Sequence, residues 1–405
     1  MKVGWQTKRL EDVCEVFADG DWIESKDQSP IGVRLVQTGN VGEGAFKGRD
    51  AKARYVSDAT FRRLRCTEIF EGDCLISRLP DPVGRSCIVP YTGQRMITAV
   101  DCTIVRFDRK QLIPEFFNLY SQSLDYLKAV EAETTGTTRN RISRTRLGQV
   151  PVPFPSLPEQ QRIVAILDEA FDSIATAKAN AEKNLQNAHA LFESHLQSVF
   201  TQRGEGWVEK PLGVLASFRN GINYTKDSKG ERVKIVGVKD FQKSYWVPSQ
   251  NLDTVTIDGE LSELDFLKQN DILTVRSNGN LELIGRCILA GEVSGRISHS
   301  GFTIRIRLAT GEVLPEYLCH FMKCTSSRKR LTDGGTGTNI KSLNQQTLAA
   351  LCVPFPSVSQ QKALVANLES IFAETQRLES IYRQKLAALD ALKKSLLDQA
   401  FTGLL

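Results

Sequence analysis

Val152-Pro-Phe-Pro-Ser156 and Val353-Pro-Phe-Pro-Ser357 are the same five residues, 201 positions apart, and past Pro158 in the first copy each opens some forty residues without glycine or proline. In the first stretch the apolar residues Ile163, Leu167, Phe171, Ile174, Ala177, Ala181, Leu185, Ala188, Phe192, Leu196 and Val199 recur at steps of three and four. That spacing is one face of a helix and is close to a coiled-coil heptad. It predicts about ten turns, roughly 60 Å long. The second stretch repeats the row with Leu364, Leu368, Ile371, Leu378, Leu389, Leu392 and Leu396, interrupted by Thr375 and Lys385. Two such stripes predict an antiparallel helix pair, with Met1 and Leu405 at one end.

The 201-residue offset holds outside the helices. It places Gln160 on Gln361, Phe200-Thr201 on Phe401-Thr402, Thr135-Gly136-Thr137 on Thr336-Gly337-Thr338, and Gly84-Arg85 on Gly285-Arg286. A period this long is a duplicated domain and not a solenoid repeat. Upstream of each helix, short β-branched runs such as Val33–Val36, Cys74–Ser77 and Cys102–Phe107, and in the second copy Lys234–Val238 and Phe302–Leu308, read as strands. A helix is predicted from Pro114 through Glu131 and its repeat from Pro315 through Arg330. The expected fold class is mixed α/β (α+β), with two pseudo-symmetric globular domains joined by two long antiparallel coiled-coil helices. The expected boundaries are a domain over 1–155, a spacer helix over 156–203, a second domain over 204–356 and a second helix over 357–405.

Bulk properties narrow the function by exclusion. The 405 residues are 41% apolar and 24% charged, and 52 Lys plus Arg against 47 Asp plus Glu leave only +5. Any polyanion contact therefore needs a local cluster of cations. Nine cysteines without a Cys-x-x-Cys pair fit neither a disulfide framework nor a zinc site. The start lacks an apolar signal region and no run of eighteen apolar residues occurs, so the expectation is a cytoplasmic protein without a membrane partner. Gly39-Asn-Val-Gly-Glu-Gly44 is not followed by a helical pattern, no phosphate-loop motif occurs, and His189, His195, His299 and His320 lack metal-ligand spacing. No Asn-Pro-Pro-Tyr-type element is present. The chain reads as non-catalytic by itself, with no catalytic residue, metal or bound cofactor.

Two polar, basic loops recur at matched places. Arg78-Leu-Pro-Asp-Pro-Val-Gly-Arg85 corresponds to Arg276-Ser-Asn-Gly-Asn-Leu-Glu-Leu-Ile-Gly-Arg286. Arginine bonds guanine bidentately and asparagine does the same for adenine, which makes Arg78, Arg85, Arg276, Asn278, Asn280 and Arg286 candidate base readers. The second pair offers Thr137, Arg139, Asn140 and Arg141 in one copy and Thr338, Asn339 and Lys341 in the other, a mixture suited to sugar-phosphate contact. A single loop arginine is more often merely solvated. Recurrence in both copies favours the binding reading for the first pair, while the second pair reads equally well as a flexible connection to the helix.

The two proline entries, Leu157-Pro-Glu-Gln-Gln-Arg162 with Val358-Ser-Gln-Gln-Lys362, and the helices ending Phe200-Thr201 and Phe401-Thr402 resemble the specificity subunit of type I restriction-modification systems. The resemblance spans the whole chain. It implies two target-recognition domains, each reading half of an asymmetric bipartite site in double-stranded DNA. It implies two methylation subunits, which carry the S-adenosylmethionine chemistry, and restriction (translocase) subunits that join them. Gln160, Gln161 and Gln361, taken as exposed at the proline entries, are the expected docking residues for the methylation subunits. The competing classes are a non-catalytic scaffold whose duplicated domains bind protein or RNA, and a detached piece of a fused modification enzyme, which would need methyltransferase or nuclease motifs that the sequence does not show.

Overall fold

The computed structural model of the chain describes residues 4–136, 140–241, 245–333 and 342–405. Leu157–Thr201 and Val358–Thr402 are continuous α-helices of 45 residues each, about 68 Å at 1.5 Å per residue. The chain forms two compact units, Met1–Ala181 with Gln384–Leu405, and Glu182–Arg383. The division passes through both long helices, so each unit holds part of each.

In the first unit a four-stranded antiparallel sheet is ordered Cys14–Asp19, Cys102–Phe107, Cys74–Ser77, Ser86–Ile88. A five-stranded sheet that includes Val33–Val36 and Met96–Thr98 lies in the same unit, and Gln6–Arg9 pairs with Pro151–Phe154 at the helix entry. One buried cluster joins sheet, short helices and both long helices: Val105, Phe116, Tyr126, Ile163, Leu167, Leu397 and Phe401 all belong to it. Within this unit Lys178 pairs with Asp390, the Lys393 ammonium sits 4.7 Å from the Phe171 ring centroid, and the Arg162 guanidinium donates to the Leu405 carbonyl at 3.0 Å. Partners fall along one helix as they rise along the other, which makes the pairing antiparallel.

The second unit repeats the plan. Its four-stranded sheet is ordered Ala216–Asn220, Thr303–Leu308, Ile272–Val275, Cys287–Leu289, beside a three-stranded sheet, and Val208–Pro211 pairs with Cys352–Phe355. The antiparallel helix contacts here are Phe192 with Phe372 at 5.2 Å between ring centroids, His189 with Glu379 at 2.9 Å, and His195 with Asn367 at 2.8 Å. Phe401 packs on Phe116 and Tyr120 in the first unit at 5.4 and 5.3 Å, and Phe200 packs on Tyr317 and Phe321 in the second at 5.3 and 5.4 Å. All three pairs of counterparts are 201 residues apart. Each unit is thus closed by an aromatic from the helix that belongs, in sequence, to the other copy.

Three local expectations change. The helix expected over 114–131 is two helices, Pro114–Tyr120 and Leu124–Ala132, because the Ser123 hydroxyl accepts the Tyr126 amide at 3.3 Å and starts a new one. Its repeat likewise breaks at Cys324, between Pro315–Lys323 and Thr325–Asp333. On the second long helix Leu392 is exposed, and it is the neighbouring Lys393 that meets Phe171, through its ammonium over the ring. Thr375 is buried in the seam, whereas Lys385 faces outward.

Candidate nucleic-acid interface

The two arginine-bounded loops are the turns of equivalent hairpins. In the first copy Ile76 pairs with Ser86 and Thr103, and in the second Thr274 pairs with Cys287 and Ile304. The strands after the loop, Ser86–Ile88 and Cys287–Leu289, start 201 residues apart, and the strands before it, Cys74–Ser77 and Ile272–Val275, start 198 apart. The second loop, residues 276–286, is therefore three residues longer than the first, residues 78–85, on an unchanged frame. The backbone of the first loop residue is fixed identically. Arg78 donates its amide to Asp101 at 2.9 Å and accepts from Ile142 at 3.3 Å; Arg276 donates to Phe302 at 2.8 Å and accepts from Leu343 at 2.8 Å.

These bonds bring the second loop pair to the same place. Ile142 follows Arg141, whose amide and carbonyl exchange hydrogen bonds with Thr135 at 2.9 and 3.0 Å. Leu343 follows Ser342, which bridges to Ser277 beside Arg276. Asn140 and Arg141 are exposed there. Thr137, Arg139, Thr338, Asn339 and Lys341 lie outside the described residues.

Side-chain chemistry separates the two copies. Arg78 is buried, with its guanidinium on the Val100 carbonyl and 3.1 Å from the Asp19 carboxylate. Arg141 lies 2.8 Å from Asp101 and Arg144 lies 3.8 Å from Asp19, so three cations share two carboxylates. Burial pulls the Arg78 pKa below its ordinary value, and Asp19 opposes that shift. Arg85 is buried as well. It donates to the carbonyls of Val41, Leu79, Pro82 and Thr38 at 2.7 to 2.9 Å, and burial again lowers its pKa. The expectation that Arg78 and Arg85 present their guanidinium groups to a base is corrected: both are spent on the protein's own carbonyls and carboxylates, which a buried cation needs.

In the second copy the positions of Asp19 and Asp101 are taken by Asn220 and Phe302, as the strand register and the Arg276 amide bond define them. Arg276 is half-buried and has neither of those carboxylates beside it; Phe302 is 58% exposed next to it. The Asn278 and Asn280 side-chain oxygens accept the amides of Asn280 and Glu282 at 2.8 and 3.0 Å and shape the loop. Arg286 donates to the Glu282 carbonyl at 3.1 Å and is half-buried. The arrangement offers a guanidinium and two amides on a longer, more open turn. Asp19 and Asp101 were not singled out from sequence; reading Asp19 against Asn220 at the repeat offset is the signal that marks them.

The helix entries need a larger correction. Gln160 and Gln361 are fully buried. The Gln160 amide accepts from Ile113 at 3.0 Å and donates to Gln111 and Pro155 at 2.8 and 2.9 Å; that of Gln361 accepts from Leu314 at 2.8 Å and donates to Glu312 and Pro356 at 2.8 and 2.9 Å. Each side chain satisfies otherwise orphaned backbone groups where strand, loop and long helix meet. They are clamps, and no partner can reach them. Gln161 is exposed.

A family model for the type I restriction modification DNA specificity domain matches residues 2–186. The StySPI specificity subunit of Salmonella potsdam is 24% identical over 309 residues, 73% of this chain and 66% of that protein. The EcoKI specificity subunit of Escherichia coli K12 is 26% identical over 323 residues, 75% of this chain and 68% of the relative. The matches thus span about two thirds of these relatives' own lengths. Among solved structures, a chain from work on complex assembly and conformational transition of the type I R-M system has a TM-score of 0.79 at 16% identity, covering 99% of this chain and 98% of that one. At that identity the likeness is one of fold. Duplicated proline entries, long helices, the family model over residues 2–186 and the curated relatives all liken this chain to the specificity subunits of type I restriction-modification systems.

Proposed function

We propose that the chain sets the DNA sequence specificity of a type I restriction-modification complex, with residues 1–155 and 204–356 as target-recognition domains that each read one half of an asymmetric bipartite duplex site. Residues 156–203 and 357–405 serve as spacer and as docking surface for two methylation subunits, with which the restriction subunits assemble. The observation that carries this reading is the hairpin pair. One frame is kept in both copies while the loops differ in length, residues 78–85 against 276–286, and in charge neutralisation at Arg78 and Arg276. Loops that diverge on a fixed frame suit two different half-sites. Arg276, Asn278 and Asn280 supply the donor types that distinguish base edges, and Asn140 and Arg141 supply positioning contacts. Exposed Gln161, with exposed Lys362 at its repeat position, is the docking candidate that remains at the helix entries. On this reading the chain is non-catalytic and S-adenosylmethionine belongs to the methylation subunit. Among the described residues no helix is long and apolar enough to cross a membrane, and we assign the chain to the cytoplasm with its DNA.

The test is selection from random duplex DNA by the chain co-expressed with its methylation subunit. Two short, different half-sites at a fixed gap are expected, one of which changes when residues 1–155 are exchanged. Retention of duplex with no common sequence overturns base reading, and retention of RNA or protein in place of duplex establishes the scaffold alternative.

A further inference from the structure

Beside the first hairpin loop, in the first unit, lies an open cleft of about 590 Å³. One wall is the turn from Gln37 to Asn40; the other carries Arg49, Lys52 and Arg54. All three cations are exposed, and no carboxylate lines the cleft. Asp50, the acidic residue within the run, is held outside it by buried Arg34 at 2.8 Å.

The cleft is held open by specific contacts. Asn40 accepts the Gln37 amide at 2.9 Å and donates to the Lys47 and Gly48 carbonyls at 2.8 and 3.1 Å, which ties one wall to the start of the other. Arg49 follows in the left-handed conformation at φ 52°, uncommon for a residue with a side chain. Its guanidinium crosses Gly39 so closely that a Cβ there would lie 1.9 Å from Nη1. Strain of this kind, observed at a surface cation, points to a purpose for the side chain's position. Arg85 connects the cleft to the hairpin loop, because its guanidinium holds the Thr38 and Val41 carbonyls on one side and the Leu79 and Pro82 carbonyls on the other.

We propose that this cleft seats a stretch of phosphodiester backbone of duplex DNA, gripped by Arg49, Lys52 and Arg54, and that Arg85 is the positioning residue that sets the cleft relative to the base-facing loop. The proposal rests on the duplex-reading function above and adds residues to it. Three unneutralised cations facing a polar turn match a phosphate run, whose charges repeat along one strand. Base reading by arginine is a single bidentate contact to one guanine edge, whereas three cations set along one wall match successive phosphates of a strand. Arg85, which cannot reach a base itself, acquires a role as a strut between two contact surfaces.

The experiment measures duplex affinity of the full chain in its assembled complex against salt concentration, using a duplex that carries the selected site. Each phosphate contact contributes about 0.9 to the slope of log affinity against log salt. Arg49→Gln, Lys52→Gln and Arg54→Gln combined are expected to flatten that slope by about 2 to 3 and leave the selected sequence unchanged. Gly39→Ala, which displaces only the Arg49 guanidinium, is expected to flatten it by about 1. An unaltered slope in a triple variant that still assembles overturns the assignment, as does a changed sequence preference at an unaltered slope. If the unaltered chain retains no duplex at any salt, the broader function fails and this site with it. Selective wild-type binding with an unmoved variant slope removes this site alone.

Discussion

Arg78 and Arg276 occupy the same backbone position in two copies of one hairpin, and they have opposite fates. Arg78 is enclosed and neutralised by Asp19 in a network that also holds Arg141, Arg144 and Asp101. Arg276 has Asn220 and Phe302 in the corresponding places and stands at the edge of a loop three residues longer. Duplication preserved what fixes the frame, namely amide clamps, aromatic closure and strand register, and released what the frame presents. The first loop therefore has an internally balanced edge, whereas the second keeps its arginine without those two carboxylates beside it.

The comparison can be broken most forcefully at the aromatic closures. Phe401→Ala should cost about 3 to 5 kcal/mol and act on the first unit, where Phe401 packs on Phe116 and Tyr120. Phe200→Ala should cost as much and act on the second. Hydrogen exchange resolved by unit measures both, and protection lost only in the copy that owns the mutated helix would contradict the reciprocal packing.

Acid should separate the units next. Burial lowers the pKa of His299 to about 3 and that of His320 to about 4, from 6.5. The repeat positions in the first unit are Thr98 and Leu119, which do not titrate. A folded-state pKa below the unfolded one means that the unfolded chain takes the proton first, so stability is full above pH 6.5 and declines as pH falls toward 4. The loss by pH 5 is roughly 2 kcal/mol per histidine, borne by the second unit. Denaturant unfolding at pH 7.5 and pH 5 with unit-resolved exchange tests this; equal loss in both units excludes the histidines as the cause.

The clamps should behave alike in both copies. Gln160→Leu or Gln361→Leu strands one buried amide and two carbonyls, at about 2 to 4 kcal/mol for each variant. Unequal melting shifts would show that the matched hydrogen bonds are not matched in energy. The smallest expected effect is the most informative about function. Arg276→Ala should weaken duplex binding by about 1 to 3 kcal/mol and relax one position of the selected site, whereas Asp19→Asn should lower stability through the unpaired Arg78 and leave the sequence preference intact. A preference altered by Asp19→Asn alone would reverse the assignment.

Much of the frame was legible from residues. The repeat offset, the two long helices and the hairpin loops follow from periodicity and self-similarity, which depend on backbone geometry common to all sequences of that pattern. The fate of the arginines was not legible, because it depends on carboxylates at Asp19 and Asp101, distant in sequence and brought near only by strand pairing. The glutamines at the helix entries misled for a related reason. A polar residue beside prolines at a helix start reads as surface, yet the turn there leaves backbone groups that only a buried amide can satisfy. The helix break at Ser123 was missed because a local cap overrode an apolar row that continues through it, and the one at Cys324 because the Ser326 amide is taken up by the Gln197 side chain, distant in sequence.

The aromatic closure also bears on fragment complementation. Because Leu397 and Phe401 belong to the first unit's core and Leu196 and Phe200 to the second's, the seam between folding units does not coincide with the seam between sequence copies. A cut at the Gly204 junction leaves two fragments, each lacking a wall of its own core and carrying a wall of the other's. Neither half is a self-sufficient piece, and each is the other's missing part.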